Sequence, residues 1–420
     1  LERLCKVEPE QVASRPPVHD FADMMTPAQS LSHVLELFQE HFGTAAQSRA
    51  FAPGRVEVIG NHTDYNGGTV VGTAIDRGIA VAARVRPDGK LRFYSDTKSS
   101  DGIVETSRAT FAQDDIPTWC QYPLGIIDEA HLRGWPSEPV GLDLTIASDL
   151  PEGTGLASSA ALEMAVVGAL SQLLFTADMQ PSRGALVEVA HRAENRFVGM
   201  PCGLLDQTVV GFGKKNGLVV LDAAINKSVS IPLPAGIRFV LFRSHISHAL
   251  VDSPYEDRHR ECRTALMGLE RFVPGIRHLA RLHPADLDAY ASVLETRPAM
   301  RARHVVHEQR RVGAFLATLS QNDLVAAGAC MTASHESSRA LFDNSTPELD
   351  TLVATANAQP GVLGARLSGG GWGGSMVAMV TDEFEEKHGE SICDQYEELF
   401  EVRPHWWQSS AAAGMVSERL

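Results

Sequence analysis

The 420-residue chain contains no apolar run near the roughly 18 residues that a membrane-spanning helix needs, so no such helix is expected. No basic-then-apolar signal pattern is seen in its first residues, which begin at Leu1 and not at a methionine. Its six cysteines (Cys5, Cys120, Cys202, Cys262, Cys330, Cys393) are scattered and form no C-x-x-C pair, which leaves out a zinc ribbon and a redox dithiol. Scattered thiols fit a reducing compartment, and we expect a cytoplasmic protein. Positive charge is in deficit. Lys and Arg number 37 against 52 Asp and Glu, a net charge of −15. That argues against a nucleic-acid or anionic-membrane surface, where a basic stripe is expected, but allows a local pocket for a small anion. There is no internal repeat and no low-complexity tract. With 44% hydrophobic and 21% charged residues the chain reads as an ordinary globular protein, long enough for two domains or one large one.

Residues Leu1 to about Pro27 mix charges and prolines and read as a loose arm. Leu31 to Phe42 has helical spacing. Gly78 to Arg86 and Lys90 to Ser95 are apolar-rich runs joined by Pro87-Asp88-Gly89, a hairpin signal. Leu142 to Ile146 suits a half-buried strand. Pro181 to Phe197 reads as a helix with proline in its first turn. Gly217 to Leu221 and Ile237 to Phe242 read as strands. The polar, proline-bearing stretch Ala223 to Pro234 between them suggests a domain boundary. Arg258 to Phe272, Met300 to Leu319 and Asp323 to Ser338 read as helices, and Gly364 to Val380 as a glycine-rich turn in β-prone sequence. Helices and strands alternate without a strict βα repeat, which favours an α+β fold over a doubly wound sheet.

The most informative stretch is Pro151-Glu-Gly-Thr-Gly-Leu-Ala-Ser-Ser-Ala-Ala161. It predicts a glycine turn opening into a helix from Ser158, with Leu162, Ala165, Val166, Ala169 and Leu170 on one face. Such a turn points bare N–H groups at one spot, which favours a phosphate. Serines in the first turn add hydroxyl ligands for a phosphate-bound Mg²⁺. An ordinary serine-capped helix is the competing reading. Three further segments stand out. Ala52-Pro-Gly-Arg-Val-Glu-Val-Ile-Gly-Asn-His-Thr-Asp-Tyr-Asn-Gly-Gly68 gathers Arg55, Asn61, His62 and Asp64 around glycines. In Gly199-Met-Pro-Cys-Gly-Leu-Leu-Asp-Gln207, Asp206 sits among apolar residues, where a carboxylate is paired, functional or a helix cap. Ser368-Gly-Gly-Gly-Trp-Gly-Gly374 satisfies G-x-G-x-x-G, but a strand-like run follows it, so a dinucleotide site is not expected.

The order of these motifs resembles the galactokinase family of the GHMP superfamily of small-molecule kinases. Ala52-Pro-Gly-Arg55 with His62-Thr-Asp-Tyr-Asn66, Gly155-Leu-Ala-Ser-Ser-Ala-Ala161, Gly199-Met-Pro-Cys-Gly203 with Asp206-Gln207, and Leu367-Ser-Gly-Gly-Gly-Trp-Gly-Gly374 carry the resemblance. Softer likeness runs through Ser253-Pro-Tyr-Glu256, Ser334-His-Glu-Ser-Ser338 and Pro347-Glu-Leu-Asp350. It covers about residues 30 to 415. It implies two α+β domains, expected at 28–222 and 223–420 behind the arm, with the active site in the cleft between them. It implies an ATP-dependent sugar kinase that phosphorylates the anomeric hydroxyl of D-galactose or a close relative, giving the sugar 1-phosphate and ADP. Gly153, Thr154, Gly155, Leu156, Ala157, Ser158 and Ser159 would wrap the ATP phosphates, with Trp119 near the nucleotide. Ser158 or Ser159, with Glu194, would hold Mg²⁺. Asp206 would accept the hydroxyl proton or anchor the site electrostatically. Arg55 would sit beside Asp206 and the γ-phosphate, where its charge stabilises the transition state. His62, Asp64, Gly203 and Tyr255 would contact sugar hydroxyls. A monomer is expected.

One departure bears on the substrate. The family usually has Glu before His-Thr-Asp, where it contacts the hydroxyl on the sugar's sixth carbon; here the residue is Asn61. A neutral amide there would tolerate a carboxylate, which adds galacturonate to galactose and N-acetylgalactosamine as candidates. Ala157 for a common serine is expected to matter little, and Trp372 for a common Phe to add bulk near the cleft. A catalytically silent sugar and ATP sensor is the rival from another class, although Arg55, Ser159 and Asp206 are present. His248 and His335 read as structural or surface residues.

Overall fold

The computed structural model describes residues 25–112, 114–135, 141–151, 153–245 and 255–420. Nearly all of the expected arm, together with His248 and Ser253-Pro254, lies outside the described residues. Among the described residues no helix is long and apolar enough to cross a membrane.

In chain order the strands are β1 (Ser48–Ile59), β2 (Thr69–Arg86), β3 (Lys90–Ser95), β4 (Val104–Ser107), β5 (Gly141–Ser148), β6 (Gly217–Asp222), β7 (Lys227–Pro232), β8 (Arg238–Arg243), β9 (Val362–Ser368), β10 (Ser375–Val380), β11 (His405–Ser409) and β12 (Val416–Arg419). They form two sheets. The first runs β12-β1-β2-β5-β3-β4, and the long strand β2 also pairs with β6, which pairs with β7. The second runs β11-β8-β10-β9. With helices on both sheets, the α+β reading holds.

Two local expectations fail for the same reason. The turn at Pro87-Asp88-Gly89 does reverse the chain, but β2 and β3 do not pair. β5 lies between them, antiparallel to β2 and parallel to β3. Gly141 permits the insertion, because a Cβ there would sit 2.7 Å from the Lys90 carbonyl oxygen. The polar stretch expected to be a boundary holds β7, an antiparallel partner of β6. β12 also returns from the far end of the chain to pair with β1. The first sheet therefore extends across the expected division after residue 222. A local pattern reports that a strand exists; its neighbour is set by contacts distant in sequence.

Helix Ser158–Leu174 crosses β1 and β2 and is buried on nearly every side. That explains its almost uniformly apolar sequence. Helices Thr296–Ser320 and Leu324–Ser337 pack together, and the second lies on β9. Gly328 and Gly364 bring that helix and strand into backbone contact: a Cβ on Gly328 would be 2.1 Å from the Leu363 carbonyl oxygen. This close seat brings the helix pair up behind the turn that follows β1.

Candidate active site

β1 breaks register with β2 between Pro53 and Arg55 and again between Glu57 and Ile59. Such irregularities re-aim side chains. The pairing is regular from Arg55 to Glu57, so the strand's period of two puts both residues on one face. That face borders a cavity of about 180 Å³. Its lining brings together Arg55, Asn61, His62, Asp64, Gly153, Gly155, Leu156, Ala157, Ser158, Ser159, Glu194, Gly203, Asp206 and Tyr255 from the expected site. A larger hollow of about 420 Å³ lies behind Tyr65 and Arg263, but it holds neither the glycine turn nor a carboxylate.

Asp206 stands in the first turn of helix Leu205–Phe212. The Arg55 guanidinium grips it with two nitrogens, Nε to Oδ1 at 2.9 Å and Nη2 to Oδ2 at 2.7 Å. Its third nitrogen donates to the Gly155 carbonyl at 2.5 Å. Arg55 is 5% exposed, so this is a largely desolvated, bidentate pair. One side chain thus ties the glycine turn to the carboxylate.

The glycine turn has the expected form. Gly153, Gly155 and the non-glycine Ala157 all adopt positive φ. Helix Ser158–Leu174 starts at Ala157 with no side-chain cap, leaving its first N–H groups available to an anion. Its serines do not cap it, contrary to the competing reading. A Cβ on Gly155 would be 2.9 Å from the Ser368 carbonyl oxygen, and one on Gly374 would be 3.1 Å from that of Thr154. The last glycine-rich segment is therefore a packing partner of the first. Trp119 is half-buried, donates its indole N–H to Asp101 at 2.9 Å, and does not line the cavity.

Glu194 lies in a π turn, Ala193–Val198, that continues helix Arg183–Arg192 where a plain helix was expected. π turns redirect side chains, frequently at functional sites. Glu194 is buried against Ser159, accepts from Gln207 Nε2 at 2.6 Å and from Cys202 Sγ at 3.2 Å, and its carboxyl is pushed up, chiefly by burial. Glu163 shares the same Gln207 amide at 3.1 Å, and its Oε1 is buried without a partner. Among the described residues no three His, Cys, Asp or Glu side chains form a metal cluster. One carboxylate beside serine hydroxyls, at a spot crowded with negative charge, suits Mg²⁺, which keeps several waters and phosphate oxygens of its own.

The turn after β1 is clamped from behind. Glu308 Oε1 accepts from the backbone N–H of Gly60 and Asn61 at 2.9 and 3.1 Å and from Ser334 Oγ at 2.5 Å, while Arg311 pairs with Oε2 at 2.7 Å. Burial opposes the Glu308 charge, but Arg311, His304 and Arg366 outweigh it and hold its pKa at about 2 against an ordinary 4.5. A depressed pKa stabilises the fold above pH 4.5, and that contribution is lost as pH falls toward 2. At about 1.4 kcal/mol per unit, the stability gap between the native protein and Glu308→Gln is expected to narrow by about 1.4 kcal/mol from pH 6 to pH 3.5. Urea midpoints at the two pH values read it.

The structure corrects the expectation for Asn61. Its Nδ2 donates to Glu57 Oε1 at 3.0 Å and to the Gly369 carbonyl at 2.9 Å. Its Oδ1 accepts from Ser338 Oγ at 3.0 Å and from Asn344 Nδ2 at 2.9 Å. A carboxamide has two donors and two acceptor positions, and all are filled from within the protein. His62 is similarly engaged. Its Nε2 meets the Gly370 carbonyl at 3.0 Å and its Nδ1 the Tyr65 hydroxyl at 3.0 Å. Asn344 Nδ2 also lies 3.1 Å from Nε2. Burial holds the His62 pKa well below 6.5, so the ring is neutral and stacks on Phe342 with ring centres 4.3 Å apart. Asp64 points into the cavity against Gly203, and its carboxyl is pushed up to about 7 by burial, then by Glu57 and Asp206.

Sequence reasoning gave no role to Glu57, Glu163, Gln207, Glu308, Asn344 or Arg366. Three carried a signal. Glu57 lies two positions beyond Arg55 on a strand, and Glu163 and Arg366 are lone charges in apolar elements.

A model of the galactokinase galactose-binding signature matches residues 36–85. Models of the GHMP kinase N-terminal and C-terminal domains match 122–214 and 315–401. The galactokinase of Ligilactobacillus salivarius is 38% identical over 90% of this chain and 97% of its own length. That of Bacillus subtilis is 34% identical over 90% and 96%. The crystal structure of Lactococcus lactis galactokinase complexed with galactose superposes with a TM-score of 0.86 at 31% identity, covering 92% of this chain and 99% of that one. A mevalonate kinase structure, with a TM-score of 0.57 at 15% identity, shares the fold alone. Identity at this level over nearly the whole of both chains, on a fold whose glycine turn meets an arginine–aspartate pair, means that the chain belongs to the galactokinase family of GHMP kinases.

Proposed function

We propose that the protein transfers the γ-phosphoryl group of ATP to the anomeric hydroxyl of D-galactose, giving galactose 1-phosphate and ADP. The observation that carries this reading is the bidentate Arg55–Asp206 pair, joined to the glycine turn at the mouth of a small, carboxylate-lined cavity. Phosphoryl transfer depends on positioning and charge neutralisation more than on covalent help from the protein. The anomeric oxygen forms a bond to the γ-phosphorus, the bond to the β–γ bridging oxygen breaks, and the hydroxyl proton passes to Asp206. Arg55 holds Asp206 in place and lowers the energy of negative charge developing on the phosphoryl oxygens. The bare N–H groups at Ser158 and the turn before it bind the phosphates of ATP. Asp64 accepts from sugar hydroxyls, and Tyr255 closes that side of the cavity. Ser158 or Ser159, with Glu194, would hold Mg²⁺, which would supply charge neutralisation on the phosphates.

A coupled ADP-release assay with ATP and Mg²⁺ tests the reading. Galactose-dependent ADP release, with galactose 1-phosphate identified by ³¹P NMR, is expected. Binding of galactose and ATP by calorimetry without turnover would instead support a sensor.

A further inference from the structure

Resting on the kinase reading above, we infer that Glu57, and not Asn61, presents the acceptor that reads the end of the sugar remote from the anomeric carbon. A sugar bearing a carboxylate at that end is therefore a poor substrate.

Glu57 is 5% exposed, yet it lines the cavity. Its two oxygens have different surroundings. Oε1 accepts from Asn61 Nδ2 at 3.0 Å and from Arg366 Nη1 at 2.8 Å. Oε2 makes no hydrogen bond to the protein, and it is not among the buried atoms without a partner. An unpaired oxygen on a cavity-lining residue, with accessible surface of its own, is open to what the cavity holds. Its direction is fixed, because Arg366 is fully buried and Asn61 has no other freedom. Glu57 also stands two positions beyond Arg55 on the same face of β1, about 6.6 Å along the strand. A hexose whose anomeric hydroxyl meets Asp206, in the grip of Arg55, therefore extends along β1 toward Glu57.

The chemistry of that oxygen sets the preference. A carboxylate oxygen accepts from hydroxyls and donates nothing. A uronic acid would bring a second carboxylate to it, near Asp64, with no donor supplied in exchange. The tolerance for galacturonate suggested by Asn61 disappears, because that amide is fully engaged elsewhere and the acidic group stands one strand period from Arg55.

The test compares galactose, 4-deoxygalactose, 6-deoxygalactose and galacturonate with the native protein and Glu57→Gln, reading kcat and KM by ADP release. In the native protein galacturonate is expected to be at least 100-fold poorer than galactose in kcat/KM, and at least one deoxy sugar at least 10-fold poorer. Glu57→Gln is expected to raise KM for galactose about 10-fold with little change in kcat. It should leave unchanged the deoxy sugar that lacks the hydroxyl held by Glu57, and reduce the discrimination against galacturonate. Equal losses on galactose and both deoxy sugars would overturn the assignment. If Glu57→Gln does not fold, the native panel decides: galacturonate or both deoxy sugars matching galactose would overturn it. ADP release with galactose but unaltered selectivity in Glu57→Gln sinks the Glu57 inference alone, whereas no release with any sugar sinks the kinase reading as well.

Discussion

Asp206→Asn is expected to lower kcat by 10²- to 10⁴-fold, the range that a positioned proton acceptor contributes. Asparagine keeps the size of the side chain and one acceptor for Arg55. It can take no proton from the sugar, and it removes the charge that faces the guanidinium. ATP and galactose affinities, measured by calorimetry, should change only a few-fold, because the glycine turn, Asp64 and Glu57 are untouched. The thermal midpoint must be measured beside the rate. Arg55 is 5% exposed, and an unpaired buried charge is destabilising. The Asp206 side chain is 27% exposed, so water can reach the pair and the penalty is moderated. A kcat within 10-fold of the native value in a folded variant would remove Asp206 from the reaction.

Gly203→Ala is expected to reduce kcat/KM for galactose about 100-fold, the scale of loss when a binding group is misplaced by about 1 Å. The reason is steric and not torsional. Gly203 is not among the positive-φ glycines, so alanine can adopt its backbone angles. Its new methyl, however, would lie 1.6 Å from Asp64 Oδ2. Either Asp64 or the 199–204 segment must move, and either shift takes the carboxylate from its observed place against Gly203. The loss should fall mainly in KM for galactose, with ATP affinity unchanged, because the glycine turn is built separately. An unaltered KM would mean that Asp64 does not need its observed position. The position of Gly203 in the motif is thus explained by the carboxylate it admits.

Much of this site was legible from the chain. Glycines at 153 and 155 predicted the turn, since few other residues accept those backbone angles; that the helix after it starts uncapped is seen only in the structure. The pairing of Arg55 with Asp206 came through the family resemblance, and the geometry brings the two together. The Pro87-Asp88-Gly89 signal marks a true reversal but not a hairpin, because β5 fills the space between the strands. The helical spacing through Glu194 does not reveal the π turn that carries it, because that turn leaves no local pattern.

The sequence by itself determined the local geometry and the family: where the chain turns, where helix Ser158–Leu174 begins, and which ordered motifs accompany it. These depend on backbone torsions and on residues adjacent in the chain. Only the tertiary structure decided which polar side chains keep a free hydrogen-bonding group toward the cavity. Asn61 is engaged by Ser338, Asn344 and the Gly369 carbonyl, residues 277 to 308 positions away, and that frees Glu57 to present an oxygen to the cavity. Whether a polar group is available to a ligand depends on whether every other partner in the fold has already been filled. That accounting closes only when the distant segments are packed together.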